Sequence, residues 1–299
     1  QTAYVNSHID FAEKIRSGRK IQKLFLDPNN KLGIYTVMVN RGRIDISDSL
    51  EHPVAIYVED AAGNQSSLHF RVTGEPHPAR EEVVAESGRV ARFHYDSVNV
   101  FETADLKVII LANTLFAPID FRYQTEKAAD TLFSALHHVH EEATPIRGTY
   151  ILSVRPFHLP VELSSKAVLI QIGKENRISC LGGNSEKGFI TARAGSFGTF
   201  AVALDTIPPD IQPVSFVNNA PFTAEQPVSF RIRDNLSGIN SYNGFVDGRW
   251  ALFEYDLKTN LLFYRPDPSR LTPHVKHNLE LVITDNRNNM SKFKGTFFF

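Results

Sequence analysis

A run of histidines is the most conspicuous group of metal-ligand side chains in the sequence. Residues 137–140 read His-His-Val-His. On a strand, His138 and His140 would face the same side, and zinc peptidases use an H-x-H pair of this kind. A hydrolytic zinc site also needs a third protein ligand and an open position for water, and nothing in the sequence identifies either. We therefore favour a solvated histidine run before a turn at residues 143–145, and we assign no catalytic, cofactor-binding or metal-binding residue in this chain.

Oxygen ligands in the last third of the chain indicate a second kind of metal chemistry. Four side chains there could converge at one pole of a β-sandwich and hold Ca²⁺: Asp234, Asp247, Asp285 and Asn289. Each also lies in a predicted turn, where Asp and Asn side chains bond their own backbone. We favour the turn role for each of them.

Aromatic residues in the same region indicate a surface for stacking against sugar rings. The set is Arg249, Trp250, Phe253, Tyr255 and Tyr264. Apolar residues occur here at both odd and even positions, which is typical of strands buried between two sheets. We therefore expect most of the set to lie in the core.

The composition excludes several classes of function. The chain has 299 residues, 42% of them hydrophobic, which favours two or three domains with sizeable cores. A formal net charge of −1 gives no overall positive electrostatic field that would attract nucleic acid. No apolar run approaches the roughly 20 residues that span a bilayer. Cys180 is the only cysteine and has no partner for an internal disulfide. The sequence starts at Gln1 without a signal peptide or a Met, and we expect it to be a mature or excised piece.

One β-hairpin pattern occurs twice and organises the rest of the chain. Residues 277–297 alternate apolar and polar side chains, turn through Asp-Asn-Arg-Asn-Asn and continue as a second strand. Residues 52–72 repeat the pattern in a register that matches His52 with His277 and Asp60 with Asp285. We predict two equivalent strand pairs in related modules, with each Asp accepting bonds from its own turn.

The pattern along the chain predicts an all-β fold of tandem immunoglobulin-like β-sandwich modules. Linker composition after residue 74 and the Pro pair at 208–209 divide the chain into three parts. We predict a partial immunoglobulin-like sandwich over 1–74, a middle sandwich over 75–205 and a C-terminal immunoglobulin-like sandwich over 206–299. The first module has only about five predicted strands and is expected to be truncated.

Several local elements are predicted inside these modules. The first module is expected to contain a helical turn over residues 10–16 and strands at 21–26, 33–40 and 44–46. In the middle module, residues 125–136 are a candidate helix. In the third, Asp247-Gly248 predicts a type I′ hairpin turn.

A short tripeptide pattern indicates an envelope location. Asp, then Ser or Thr, then an aliphatic residue occurs at four positions, beginning at Asp48, Asp96, Asp130 and Asp205. These tripeptides look like O-glycosylation sites of secreted proteins in some Gram-negative bacteria. They favour an extracytoplasmic location, in the periplasm or at the cell surface.

Four stretches together resemble a known family. They are 5–11 (VNSHIDF) with 17–20 (SGRK), 58–66 (VEDAAGNQS), 196–209 (SFGTFAVALDTIPP) and 234–255 (DNLSGINSYNGFVDGRWALFEY). They resemble the non-catalytic C-terminal region of LytM/lysostaphin-type (peptidase family M23-like) zinc metallopeptidases of Gram-negative cell envelopes. In that family an N-terminal peptidase domain cleaves peptidoglycan cross-bridges or stem peptides, and β-sandwich modules follow.

The resemblance implies a partner enzyme rather than an enzyme in this chain. The family's peptidase carries an H-x-x-x-D segment and a later H-x-H, and this sequence has no such combination, so no catalytic residue is carried over. We expect an accessory region that positions or stabilises an upstream peptidase domain, with peptidoglycan or envelope proteins as further partners, no nucleic acid and no cofactor in this chain. The alternative is a stand-alone extracytoplasmic adhesion protein that binds glycan or protein.

Overall fold

The computed structural model describes residues 5–74 and 89–299, and nearly all of its regular structure is antiparallel β-sheet. The predicted all-β class is confirmed. Two short α-helices lie at the start, α1 (Val5–His8) and α2 (Phe11–Ser17). Three 3-10 helices lie in loops: Asn40–Gly42, Val161–Lys166 and Lys174–Asn176. In the described ranges, no helix is long and apolar enough to cross a membrane.

In the segment before residue 51, the predicted helical turn is present and the predicted strands are not. The carboxylate of Asp10 accepts a hydrogen bond from the Glu13 amide at 2.9 Å and caps α2, as predicted, and Gly18 ends the helix with a φ of 76°. The strands predicted at 21–26, 33–40 and 44–46 are wrong, because these residues form turns and irregular backbone. Alternation alone does not make a strand when no neighbouring strand completes its hydrogen-bond ladder.

The repeated hairpin is confirmed in both copies. In the first copy β1 (Glu51–Glu59) pairs with β2 (Gln65–Thr73), and in the second β20 (Lys276–Asp285) pairs with β21 (Met290–Phe298). The registers are equivalent, since Glu51 faces Thr73 in the first pair and Lys276 faces Phe298 in the second.

The two copies differ in what covers them. On β20, alternate residues from His277 to Asp285 are buried, whereas the matching residues of β1 are half-buried or exposed. The sheet of β1 and β2 contains only these two strands. Within residues 5–74, the expected partial sandwich is therefore one hairpin beside helices and turns.

The middle module is a complete two-sheet sandwich. A six-stranded sheet has the order β10-β9-β13-β7-β6-β3, and a five-stranded sheet has the order β11-β12-β8-β5-β4. Large buried side chains from both sheets fill the space between them, among them Phe121, Tyr150, Phe197 and Phe200. The strands are β3 (Arg89–Phe93), β4 (Asn99–Glu102), β5 (Leu106–Ile110), β6 (Ile119–Glu126), β7 (Leu136–Val139), β8 (Tyr150–Val154), β9 (Ala167–Ile172), β10 (Ile178–Gly182), β11 (Asn184–Glu186), β12 (Phe189–Ala194) and β13 (Gly198–Leu204).

The helix predicted at 125–136 is wrong. Glu126 still belongs to β6, and Leu136 begins β7, which pairs with β6 and β13. The residues between them form turns. Helix-forming Ala, Glu and Lys in this segment are overridden by the sheet that flanks it, since propensity is a weak determinant beside tertiary packing.

The third module is a sandwich of two four-stranded sheets. One sheet has the order β14-β15-β19-β18 and the other β17-β16-β20-β21. Asp247 and Gly248, with φ of 49° and 75°, form the two-residue turn between β16 and β17, and both positive angles fit the predicted type I′ turn. The remaining strands are β14 (Asp210–Pro213), β15 (Val228–Arg233), β16 (Ile239–Val246), β17 (Arg249–Ala251), β18 (Phe253–Asp256) and β19 (Leu261–Tyr264).

The second and third modules are in direct contact. Leu236 of the third module packs against an apolar cluster on the outer face of the six-stranded sheet. Lys166 Nζ donates to the carbonyl of Arg287 and to Asn289 Oδ1, both at 2.6 Å. The turn of the second hairpin copy therefore lies against the middle module.

Candidate functional site

A groove of about 450 Å³ lies at one end of the third module. Strands β17, β18 and β19 line it, together with the segment that leads from β19 to β20. Its exposed polar lining comes from seven side chains: Asp247, Arg249, Glu254, Arg265, Asp267, Arg270 and Thr272. The only tryptophan of the chain, Trp250, also lines it.

Strand geometry explains why Trp250 faces solvent. β17 is a three-residue edge strand, and its residue Ala251 points into the core with 6% exposure. Because neighbouring side chains on a strand point to opposite faces, Trp250 points outward and is 52% exposed. Arg270 Nη2 donates to the Trp250 carbonyl at 3.0 Å and fixes the loop beside the ring.

The predicted aromatic set divides into core and groove. Phe253 and Tyr264 are each 4% exposed, and their stacked rings lie in the core with centroids 5.0 Å apart. Burial also raises the pKa of Tyr264. Tyr255 is half-buried and does not line the groove, whereas Arg249 and Trp250 are the exposed members of the set that do.

The base of the groove is held by a buried histidine. His277 is 3% exposed, and its Nδ1 and Nε2 lie 2.6 Å from Asp247 Oδ2 and 2.9 Å from the Thr272 carbonyl. Both partners are acceptors, so the ring satisfies both only when both nitrogens carry protons. Burial opposes the charged ring, but the bonds to Asp247 and Thr272 outweigh it, and the pKa of His277 lies above its ordinary value. Both ring nitrogens are engaged by these two acceptors, and the ring supports the base of the groove.

The groove combines one exposed aromatic ring with charged hydrogen-bonding groups. Asp267 Oδ1 accepts bonds from the hydroxyl and amide of Ser269, which hold the pKa of Asp267 below its ordinary value. This carboxylate therefore stays ionised and suits binding better than proton donation. An exposed ring with Arg and carboxylate groups beside it is able to contact a sugar: the ring suits an apolar sugar face and the charged groups suit hydroxyls.

The histidine run does not form an H-x-H pair. β7 ends at Val139, and His140 turns away with a φ of 54°, so that its ring packs 4.9 Å from that of Phe197. His138 instead bonds Thr199 Oγ1 at 2.9 Å with Nδ1 and approaches Glu126 with Nε2. The prediction that His138 and His140 share one face of a strand, which made them a candidate pair, is wrong.

His137, which the sequence did not single out, is the most buried of the three. It is 1% exposed and bonds the hydroxyl of Tyr123 at 2.9 Å. Burial lowers the pKa of His137 to about 4. The run is therefore structural rather than solvated at two of its three histidines.

The structure brings together only part of the predicted oxygen set. Asp234 and Asp285 lie close together, with Asn289 bonded to Asp285, whereas Asp247 belongs to the groove. The residue that completes the group is Asp205, which sequence reasoning assigned to a linker. Its position at the module boundary is the feature of the sequence that could have identified it. A side chain at a boundary can reach groups of the module on either side.

A family model for the Zu5-like domain matches residues 90–205. The matched segment runs from β3 to the residue after β13, and it covers well under half of the chain. No curated protein matches this chain at a significant level.

Proposed function

We propose that this chain is the non-catalytic accessory region of a cell-envelope peptidoglycan metallopeptidase, and that the groove beside Trp250 contacts wall glycan. The β-sandwich modules would position or stabilise the peptidase domain on its substrate. The observation that carries the proposal is the exposed Trp250 ring, set among Arg249, Arg270 and Asp267 in a preformed groove. The family resemblance supplies the peptidase partner, and the groove supplies the contact with substrate.

The histidine geometry supports a non-catalytic role. His138 and His140 are occupied by separate neighbours, Thr199 and Thr144 respectively. A zinc site of the peptidase type needs its ligands to converge on one ion. These two side chains diverge.

The exposed tripeptides support an extracytoplasmic location. The hydroxyl residue of each Asp-Ser/Thr-aliphatic tripeptide lies on the surface: Ser49, Ser97, Thr131 and Thr206. A glycosyltransferase needs such exposure to reach its acceptor.

Binding to purified peptidoglycan sacculi tests the proposal. We expect the chain to sediment with sacculi, and Trp250→Ala to bind at least about tenfold more weakly, since a central Trp contact is worth about 2 kcal/mol or more. Tyr57→Ala is the matched control, because Tyr57 is a 71% exposed aromatic residue of β1 outside the groove. No sedimentation, or equal sedimentation of Trp250→Ala, would contradict a glycan contact at the groove.

A second measurement separates the accessory role from the alternative of a stand-alone adhesion protein. The chain is added to, or fused behind, a peptidase domain of the LytM/lysostaphin type, and cleavage of sacculi is followed. An accessory region raises the rate of cleavage and loses that effect in Trp250→Ala. An adhesion protein binds sacculi without altering cleavage.

A further inference from the structure

Three carboxylates meet where the middle module joins the third module. Asp205 follows β13, Asp234 follows β15, and Asp285 ends β20. One carboxylate oxygen of each lies within 4.8 Å of those of the other two. Asp205 and Asp285 are 1% and 0% exposed, so most of this negative charge is shielded from water.

Hydrogen bonds satisfy Asp285 but not the other two. The amides of Arg287 and Asn289 donate to Asp285 Oδ1, and the side-chain amide of Asn289 donates to its Oδ2. The Ser237 amide donates to Asp205 Oδ2 at 3.0 Å. Two amides donate to Asp234 Oδ2, at 3.0 and 2.7 Å.

Within the described part of the chain, three buried oxygen atoms of Asp205, Asp234 and Ser237 are not satisfied by hydrogen bonds. Asp205 Oδ1, Asp234 Oδ1 and Ser237 Oγ have no hydrogen-bond partner among the residues that the structure describes. Asp205 is 99% buried, and its carboxylate is one of the three in this cluster. A buried anionic oxygen without a donor is costly unless a charge or a metal ion compensates it.

The nearest cationic groups, Lys166 Nζ and Arg287 Nη2, are bonded to other partners. In residues 5–74 and 89–299, no ion pair within 4.0 Å is formed by any of the three carboxylates. Lys166 Nζ is bonded to the Arg287 carbonyl and to Asn289 Oδ1, and Arg287 Nη2 is bonded to the Gly183 carbonyl at 2.6 Å. The cluster therefore brings three acidic groups into one small region, and two of them have a buried carboxylate oxygen without a hydrogen bond from any described residue.

We propose that Asp205, Asp234 and Asp285 bind one Ca²⁺ ion that clamps the middle module to the third. Ca²⁺ takes oxygen ligands at about 2.3–2.6 Å, so two oxygens on one ion lie at most about 5 Å apart, which the 4.8 Å limit satisfies. Mg²⁺ requires near-ideal octahedral geometry and keeps several of its waters, so it is bound through one or two carboxylates, and a buried group of three suits Ca²⁺ better. Ser237 Oγ and water complete the shell. One carboxylate comes from the end of the middle module and two from the third, so the ion links the modules.

Calcium binding by the full chain is measured by isothermal titration with CaCl₂ after treatment with chelator. We expect one ion per chain, and binding at least about tenfold weaker in the double variant Asp205→Asn/Asp234→Asn. Asn keeps the size of the side chain and one acceptor oxygen, so the amide bonds of Ser237, Leu236 and Gly238 are preserved.

Asp60→Asn is the matched control. Asp60 accepts the same turn bonds as Asp285, from two amides and from the side chain of Asn64, but it lies in the exposed hairpin outside the cluster. Calcium affinity should be unchanged in this variant. Equal affinity in the wild type and the double variant would overturn the site.

Thermal unfolding provides a readout that does not depend on the variants folding. Calcium at up to about 10 mM should raise the Tm of the wild-type chain, and chelator should reverse the rise. Mg²⁺ at the same concentration should give a smaller rise. A wild-type chain that gives neither heat nor a Tm shift with Ca²⁺ would overturn the proposal, as would an equal or larger response to Mg²⁺.

Discussion

His277 shows how one residue links the stability of the third module to pH. Its pKa is raised in the folded protein, because both ring nitrogens face acceptors that outweigh the effect of burial. A raised folded-state pKa gives stability that is fully present below the ordinary value of about 6.5 and is lost as pH rises through the folded value. We expect the free energy of unfolding of this module to fall as pH is raised from about 6 to about 9.

Urea unfolding followed by Trp250 fluorescence measures this effect in the third module alone, since Trp250 is the only tryptophan. The His277→Gln variant should lose this pH dependence. His52→Gln is the matched control: His52 occupies the same place in the first hairpin copy, but it is not in the core. Unchanged stability of the wild type across this pH range would contradict the assignment.

The hydrogen bonds of Asp side chains were predictable from the sequence where the donors are neighbouring residues of the same turn. Asp60 and Asp285 accept from amides two and four residues ahead, as predicted, because an Asx turn needs only its own backbone. Convergence across strands depends on the path of the chain. That path separates Asp247 from Asp285 and brings Asp205 to it, and no local pattern encodes either outcome.

Strands and turns were likewise predictable from the sequence where they depend on nearby residues alone. The two hairpin registers were predictable because a period of two and a turn motif specify strand pairing within about 20 residues. β7 was missed because its four residues join β6 and β13 only in the folded sheet. The apolar stretch at 250–255 is divided for a similar reason: β17 and β18 belong to opposite sheets on either side of Leu252.

Gly244 on β16 sets how closely the two sheets of the third module approach. A Cβ atom at this position would overlap the ring of Phe253 on the facing sheet. Both residues are buried, so the ring has little room to move. We expect Gly244→Ala to lower the free energy of unfolding by about 1–3 kcal/mol, as overpacked cores do.

The same urea titration, followed by Trp250 fluorescence, measures the loss. Gly195→Ala serves as the control, since a Cβ there would meet no atom within 4 Å and the position is exposed. It should leave the curve unmoved. A Gly244→Ala variant as stable as the wild type would show that the sheets can separate to accept a methyl group.

The whole molecule combines two well-packed modules with a segment that buries much less. Each of the two sandwiches has a continuous core between its sheets. The segment before them touches the middle module at points such as Asn29, which is 2% exposed and whose side chain donates to the Leu115 carbonyl at 2.7 Å. The first hairpin leaves Leu68 and Phe70 exposed, whereas the matching Phe293 and Gly295 of the third module are half-buried. The repeated pattern revealed the hairpin, but it could not reveal that covering strands differ between the copies.

The last prediction concerns the activity of the whole chain. A hydrolytic zinc site needs three protein ligands at about 2.0–2.3 Å from the ion and a free position for water. His138 and His140 have separate neighbours, and His140 packs in the middle core beside Phe197. We therefore expect the purified chain with added Zn²⁺ to release no fragments from peptidoglycan or from a glycine-rich peptide.

The matched variant is His138→Ala/His140→Ala, assayed beside the wild type at equal concentration. Background release from a contaminating peptidase would be the same in both preparations. Release by the wild type that disappears in the variant would contradict the accessory role, because it would require the two rings to leave Thr199 and Phe197 and converge on one ion. Weak Zn²⁺ binding alone would not contradict the accessory role. The half-buried His138 can bind a metal ion beside β7 without a second histidine ring or an activated water.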